Sequence, residues 1–339
     1  SLKNLNVSKK THKFLLDKLK DKKTLQIYKK FEKNLPNKKK FIVAVSGGPD
    51  SLALSFLAKI YSIKKSVDIK YFIVDHRLRK NSTLEAKLVQ QKLKNFSIKL
   101  NILTWKGKKP KKNIQSIARE KRYKLLTDVA KKYGIQNILL GHHLDDLYEN
   151  FFIRILRGSG LKGLVSLDKK TEVSGINLVR PLLNFKKDNL TFLSKYVFNF
   201  YVDDPSNKDT KYQRIRVRKL INELNKDGLD KNKFQKTIAN LKHSNETIKF
   251  YVNQNLIKNT HYSLQKKQLL INKDFFLQPY EVVFRAFTNS INLVNGKYYP
   301  VRGKKIDKII TQIQNDAFSK GTLGGCIIEK VNQTLIITK

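Results

Sequence analysis

Between Phe41 and Leu183 short, β-branched apolar runs alternate with helical stretches, and this alternation limits the folds open to the chain. Phe41–Val45, Asp68–Asp75, Ile98–Trp105 and Asn137–Leu140 read as buried strands, with Leu178–Leu183 as a fifth. Helices are expected over Ser51–Ile63, Thr83–Phe96, Ile114–Tyr133 and about Leu144–Leu156. Strands separated by helices must pair in parallel through right-handed crossovers. The expected fold class is therefore α/β, a doubly wound parallel sheet with helices on both faces. Ligands of such sheets sit at the carboxyl ends of strands, which directs attention to Ser46, Asp75-His76 and Gly141-His142-His143.

The flanks differ from this core. Residues 1–40 hold fourteen Lys against Asp17, Asp21 and Glu32, with Phe14, Leu15, Leu19, Leu25, Ile27 and Phe31 at roughly helical intervals. They read as a basic extension of one or two amphipathic helices ending at Leu35-Pro36-Asn37. Residues 41–227 are taken as the catalytic domain and 228–339 as a smaller C-terminal region. That region reads as helical through Phe287, to about residue 290, and then as α+β. Its final part has a helix at Lys304–Ile313 and strands at Cys326–Val331 and Leu335–Thr338.

Composition narrows the function classes. With 70 Lys+Arg against 27 Asp+Glu, the net charge is +43, which favours a polyanionic partner through counterion release. Lysine drift in an AT-rich genome is the bland alternative. The lone Cys326 excludes a disulfide framework and Cys-held clusters. No apolar run reaches the ~18 residues of a membrane span. The start at Ser1 in a chain without Met points to a removed initiator Met, and the absence of a leader-like segment favours the cytoplasm.

Ser46-Gly47-Gly48-Pro49-Asp50-Ser51 lies between the first strand and its helix. Its glycines permit close backbone approach, and a helix N-terminus offers free N–H groups to an anion. Ser46 and Ser51 add hydroxyls, and Asp50 is placed to hold Mg²⁺ against phosphate oxygens. The Lys of a Walker loop is missing. An ordinary Gly-Gly turn before a helix is the competing reading.

This loop resembles the pyrophosphate loop of the N-type ATP pyrophosphatases. Six further motifs follow in order: Asp75-His76-Arg77-Leu78-Arg79, Ala118-Arg119-Glu120-Lys121-Arg122-Tyr123, Gly141-His142-His143-Leu144-Asp145-Asp146 with Glu149, Arg157-Gly158-Ser159-Gly160-Leu161-Lys162-Gly163-Leu164, Arg180-Pro181-Leu182-Leu183, and Asp204-Pro205-Ser206-Asn207. Together, from Phe41 to Arg218, they resemble the tRNA(Ile)-lysidine synthetases. A weaker tail, Leu323-Gly324-Gly325-Cys326 and Leu335-Ile336-Ile337, is similar to the end of that family's next domain.

The resemblance implies ATP-dependent adenylylation of the wobble cytidine of a CAU anticodon in tRNA(Ile), followed by displacement of AMP by the amine of free L-lysine. It implies ATP contacts at Ser46, Gly47, Gly48, Pro49, Asp50, Ser51, Asp75 and His76, with Mg²⁺ on Asp50. Asp50, Arg119, Arg122, Asp146 and Glu149 become the catalytic candidates. Helical spacing puts Asp146 and Glu149 within one turn, where two carboxylates suit an ammonium, and His143 joins them as a lysine-site residue. A His–carboxylate metal site is the rival there, and a structural role for His142-His143 is another. Arg119 and Arg122 share a helix face and suit charge developing on phosphate, or else are merely solvated. Arg157, Asn207, Arg214, Arg216 and Arg218 are expected to contact tRNA; the family's usual Asn is Ile215 here. The basic N-terminus and the C-terminal region are expected to grip the tRNA body. No membrane partner is expected, and a homodimer stays open. Thiolating tRNA enzymes need Cys that this chain lacks, whereas a non-catalytic RNA-binding protein on the same fold, or a plain ATPase, remains an alternative.

Overall fold

A computed structural model describes residues 2–36, 40–79, 81–107, 110, 113–203, 211–296 and 303–339. The chain divides into two compact units, one ending at Leu229 and one beginning at Asp230.

The first unit opens with α1 (Leu2–Asp17) and α2 (Lys22–Lys33). Asp21 caps α2, accepting from the Thr24 N–H at 2.7 Å and its hydroxyl at 2.8 Å. The doubly wound core follows as β1 (Phe41–Val45), α3 (Pro49–Lys65), β2 (Ile69–Asp75), α4 (Ser82–Lys94), β3 (Leu100–Thr104), α5 (Ile114–Lys132), β4 (Asn137–Leu139), α6 (Leu144–Ile155) and the short α7 (Leu161–Leu164). A hairpin of β5 (Lys170–Val173) and β6 (Ile176–Val179), then α8 (Lys187–Phe198) and α9 (Gln213–Lys226), complete it.

The sheet order is β3-β2-β1-β4-β6-β5. Every pairing is parallel except β5 on β6, so the parallel sheet carries one antiparallel edge strand. The motif-based reading had no strand at Lys170–Val173, because its Lys, Thr and Glu suit an exposed edge rather than a buried run. It also ran the fifth strand to Leu183, whereas β6 stops at Val179, before Arg180-Pro181 turns the chain. Both faces are covered. Leu15, Ile27, Tyr28 and Phe31 of the N-terminal helices join α3, α4 and α8 on one face, and Leu126 and Ala130 of α5 lie with Ile42, Ile138 and Leu178 on the other. The chain reverses direction across the sheet between β1 and β4. In this topology that switch point opens a crevice at the strand ends.

The second unit begins with α10 (Lys231–Asn259), and continues with β7 (Thr260–Ser263), β8 (Gln268–Ile271), α11 (Tyr280–Asn295), α12 (Gly303–Gln314), β9 (Lys320–Leu323), β10 (Cys326–Val331) and β11 (Thr334–Thr338). Its antiparallel sheet runs β7-β8-β11-β10-β9 over a core that includes Phe275, Phe287, Ile310 and Cys326. The stretch read as helical through Phe287 therefore contains the β7–β8 hairpin. Its turn gave no signal because Lys267, not Gly or Asn, takes the positive φ of 50°. Among the described residues, no helix is long and apolar enough to cross a membrane.

Candidate active site

At the β1–α3 junction the loop is held by its own hydroxyls. Ser51 Oγ donates to the Gly48 carbonyl at 3.0 Å and accepts from the Ser46 N–H at 3.1 Å, with Ser46 Oγ at 3.2 Å. Pro49 starts α3 where a missing N–H costs nothing. The remaining first-turn N–H groups have no acceptor within the helix and suit an anion. Gly47 has φ +82°, and a Cβ there would stand 2.8 Å from Val89 Cγ2. Only glycine fits both the angle and the space. Its carbonyl accepts from the Val202 N–H at 3.0 Å, which ties the loop to the segment after α8.

Across the switch point, Gly141 passes directly over α3. A Cβ on it would lie 3.3 Å from Asp50 C, Ser51 Cα and Ser51 N. The loop after β4 is thereby pressed onto the turn between β1 and α3, and His142, His143 and α6 follow from it.

His143 caps α6. Its Nδ1 accepts from the Asp145 N–H at 3.3 Å, while the Asp146 carboxylate accepts the His143 N–H at 2.8 Å. This reciprocal box leaves the imidazole proton on Nε2. Nε2 faces Asp50 Oδ2 at 3.5 Å and Asp146 Oδ2 at 3.6 Å. Burial pulls the His143 pKa down, but the hydrogen bond to Asp50 and the charges of Asp146, Asp50 and Asp145 outweigh it, so the net shift is upward. Asp146 is shifted down: burial opposes its charge, but His143, Arg214, His142 and the His143 N–H overcome that cost.

The two carboxylates of α6 are already engaged by arginines. Arg214 pairs with both Asp146 and Glu149, and Arg218, one turn further along α9, pairs with Glu149. Asp146 and Glu149 are buried, whereas the Arg214 side chain keeps 41% of its surface exposed. The expected arginine patch is thus divided. Arg216 points to the other side of α9, exposed and bonded to the Lys211 carbonyl at 3.0 Å. Ile215, between Arg214 and Arg216, is buried. Arg157 is exposed and bonds Gln213 at 3.1 Å. Asn207 lies outside the described residues.

A second layer is cationic. His142 sits in the field of Arg180, Arg119 and Arg214; burial first, and then these charges against the pull of Asp146, push its pKa down to about 3. Its Nδ1 is buried without a partner. Arg180 is buried, donates to the Asp168 carbonyl at 2.8 Å and Thr171 Oγ1 at 2.9 Å, and keeps an unpartnered Nε. Arg119 stacks over Tyr123 at 5.1 Å. Near Arg122, His76 is driven down to about 4 by burial and then by that arginine, and both of its ring nitrogens are buried without partners. Sequence reasoning singled out Arg119, Arg122, His76 and, at the strand end, His142, but not Arg180. The Arg180-Pro181-Leu182-Leu183 motif was the available signal.

Asp75, expected as an ATP contact, is engaged within its own turn. Its carboxylate accepts from the Arg77 N–H at 3.0 Å, Ser82 Oγ at 2.8 Å and Thr83 Oγ1 at 2.6 Å, so it organises the turn into α4. Asp50 contrasts with it: Oδ1 is buried with no partner. One unsatisfied carboxylate oxygen beside a helix N-terminus fits Mg²⁺, which binds through one or two carboxylates plus substrate phosphates. No group of three His, Cys, Asp or Glu among the described residues forms a cage for a metal, so a zinc-type site has no support there.

Residues 18–224 match the PP-loop domain family. A tRNA(Ile)-lysidine synthase of Wolbachia pipientis wMel is 32% identical over 302 residues, covering 88% of this chain and 70% of that protein. The tRNA(Ile)-lysidine synthase of Orientia tsutsugamushi is 33% identical over 311 residues, covering 88% and 69%. Among solved structures, a U34-tRNA thiolase from Methanococcus maripaludis with its [4Fe-4S] cluster superposes with a TM-score of 0.55 at 19% identity, over 64% of this chain and 78% of that one. At that identity, the likeness concerns the fold.

Proposed function

The chain belongs to the tRNA(Ile)-lysidine synthase family of PP-loop, ATP-dependent ligases, and we propose that it joins L-lysine to carbon 2 of the wobble cytidine in the CAU anticodon of tRNA(Ile). The supporting observation is the contact of Gly141 with Asp50 and Ser51, which brings an anion-binding turn and a buried carboxylate pair to one crevice. In the first step the cytidine O2 attacks the α-phosphorus of ATP. The new O–P bond forms as the bond to the β-phosphate oxygen breaks, and pyrophosphate leaves. In the second, the lysine amine attacks carbon 2, the C–O bond breaks, AMP leaves and the nitrogen loses a proton.

The turn Ser46–Ser51 holds the β,γ-phosphates with its N–H groups and hydroxyls. Mg²⁺ bound at Asp50 would neutralise phosphate charge. His143 orients Asp50 and Asp146 together through its Nε2–H. Arg119, Arg122 and Arg180 face charge that grows on the α-phosphate and leaving pyrophosphate, where preorganised donors act most strongly. Neutral His142 adds an acceptor among them. Asp146 and Glu149 receive the lysine amine. Because Arg214 and Arg218 already balance them, an incoming ammonium makes room by moving the half-exposed Arg214 aside.

The test is incorporation of labelled lysine into an unmodified tRNA(Ile) transcript bearing CAU, with ATP and Mg²⁺, against a methionine tRNA of the same anticodon. ATP-dependent label in the first alone is expected. Pyrophosphate release without label would overturn lysine as nucleophile, and absence of both would favour a non-catalytic RNA-binding protein.

A further inference from the structure

We propose that the outer face of α2 and α8 is a second RNA-contact surface, which holds the sugar–phosphate backbone of the tRNA substrate away from the reacting anticodon. The proposal rests on tRNA being the substrate. Helix α2 carries Lys22, Lys23, Lys29, Lys30 and Lys33 against a single acid, Glu32. Glu32 is taken up by Lys65 at 3.2 Å and the Tyr28 hydroxyl at 3.3 Å. Tyr28 and Phe31 bury the opposite side of the helix in the main core. The lysine face is therefore held by a packed helix and is not a fraying tail.

The lysines along this face are preset on aromatic rings and a carbonyl. Lys18 Nζ lies 4.1 Å from the Tyr196 centroid and Lys23 Nζ 4.2 Å from that of Phe192. Phe192 and Tyr196 stack one turn apart on α8, 5.5 Å between centroids and 8° between planes. Lys30 Nζ donates to the Asn184 carbonyl at 2.8 Å over the Phe185 ring. Lys23, Lys30, Gln26 and Asn189 rim a cavity of about 290 Å³ floored by Ile27 and Phe185.

That is room for a phosphate with its waters. Two ammonium groups meet its charge, and two carboxamides can reach phosphate oxygens or a 2′-hydroxyl. Lysines already confined by rings lose less rotamer entropy when a phosphate arrives. The stacked pair beside them offers a platform for a ribose or an exposed base. A chain at +43 meeting a polyanionic substrate supplies the complementarity that selects RNA as the occupant. The segment after α8 is bonded to Gly47, so surface and catalytic loop share one packed body.

The test compares wild type with a Lys18→Gln/Lys23→Gln/Lys30→Gln triple variant, its Lys→Arg counterpart, and Lys131→Gln/Lys132→Gln as a control. Binding of full-length tRNA(Ile) and of an isolated anticodon stem–loop is titrated at several salt concentrations. The Gln variant should bind full-length tRNA about ten- to a hundred-fold more weakly near 0.1 M salt, with the slope of log K on log salt reduced by about 2. Stem–loop binding, ATP binding and melting temperature should match wild type, and the Arg variant and control should bind normally. Unchanged tRNA affinity and slope in the Gln variant would overturn the proposal. So would an equal loss on the stem–loop, or unchanged tRNA binding with lost binding to phosphatidylserine vesicles. Wild type that binds tRNA without forming lysidine would remove the catalytic reading alone, because binding is read without turnover.

Discussion

Replacing His142 by Gln should flatten the acid limb of stability. In the folded chain its pKa lies at about 3 against an ordinary 6.5, through burial and the charges of Arg180, Arg119 and Arg214. A folded pKa below the unfolded one means the unfolded chain binds the proton first. Stability is then complete above pH 6.5 and falls as pH drops toward 3. The loss from this one residue reaches about 2 kcal/mol at pH 5 and about 3 kcal/mol at pH 4. His76, at about 4, acts in the same direction, by an amount that solvent screening reduces because the ring is only partly buried. His143 acts oppositely: its raised pKa contributes stability that is present below 6.5 and lost as pH rises through the folded value. Asp146, shifted down, contributes above about 3.8 and fails only in stronger acid, outside the window. Urea unfolding followed by Trp105, the chain's single tryptophan and a residue of the first unit, separates these terms. Between pH 7 and pH 5 the loss should be about 2 kcal/mol smaller for His142→Gln than for the wild type. Equal slopes for the two proteins would refute the placement of a neutral imidazole among those arginines.

Gly141→Ala should push the Asp50–Ser51 backbone by a few tenths of an ångström, since its new Cβ starts 3.3 Å away. ATP binding by calorimetry should weaken about tenfold for a stability cost of about 1 kcal/mol; unchanged ATP affinity would rule out the close-contact role. Glu149→Gln strips Arg214 and Arg218 of a shared carboxylate and should cost about 1–3 kcal/mol, discounted from a fully buried pair because both arginines are partly hydrated. The same variant should raise the KM for lysine while sparing the KM for ATP, and an unmoved lysine KM would remove Glu149 from the amine site. Asp50→Asn should abolish Mg²⁺-dependent pyrophosphate release and lower the urea midpoint less than Glu149→Gln does, because Oδ1 has no partner to lose and Oδ2 gives up only its 3.5 Å approach to His143 Nε2. A stability loss near that of Glu149→Gln would mark Asp50 as structural instead.

What was legible in the sequence was whatever the local chain encodes. Phe41–Val45 is an apolar, β-branched run that reads as a strand directly, and the helices over Ser51–Ile63 and Leu144–Leu156 follow from their local pattern. The reading of His143 as a lysine-site residue, by contrast, did not include the cap it forms on α6. Asp75 shows the limit of a motif: a carboxylate at a strand end looks available, yet Ser82 and Thr83, seven and eight residues on, bond its oxygens. Lys267 shows the same limit in a turn, where a residue without turn preference hid a hairpin.

The charge balance of the site lies beyond local reading altogether. Asp146 and Glu149, seen alone, are two uncompensated carboxylates awaiting an ammonium, and Arg214 and Arg218 are surface cations awaiting phosphate. The pairing spans 65 to 69 residues and exists only because α9 packs on α6. Once paired, each set answers the other's charge, and the cations left facing the crevice are Arg119, Arg122 and Arg180. Burial first, and then the charges of these arginines, hold His142 and His76 neutral beside them. A triphosphate entering the crevice supplies negative charge. Binding of ATP should therefore raise the His142 pKa and take up protons near pH 5, measurable as a buffer-dependent binding enthalpy. A binding enthalpy independent of buffer ionisation at that pH would mean that the phosphates lie elsewhere.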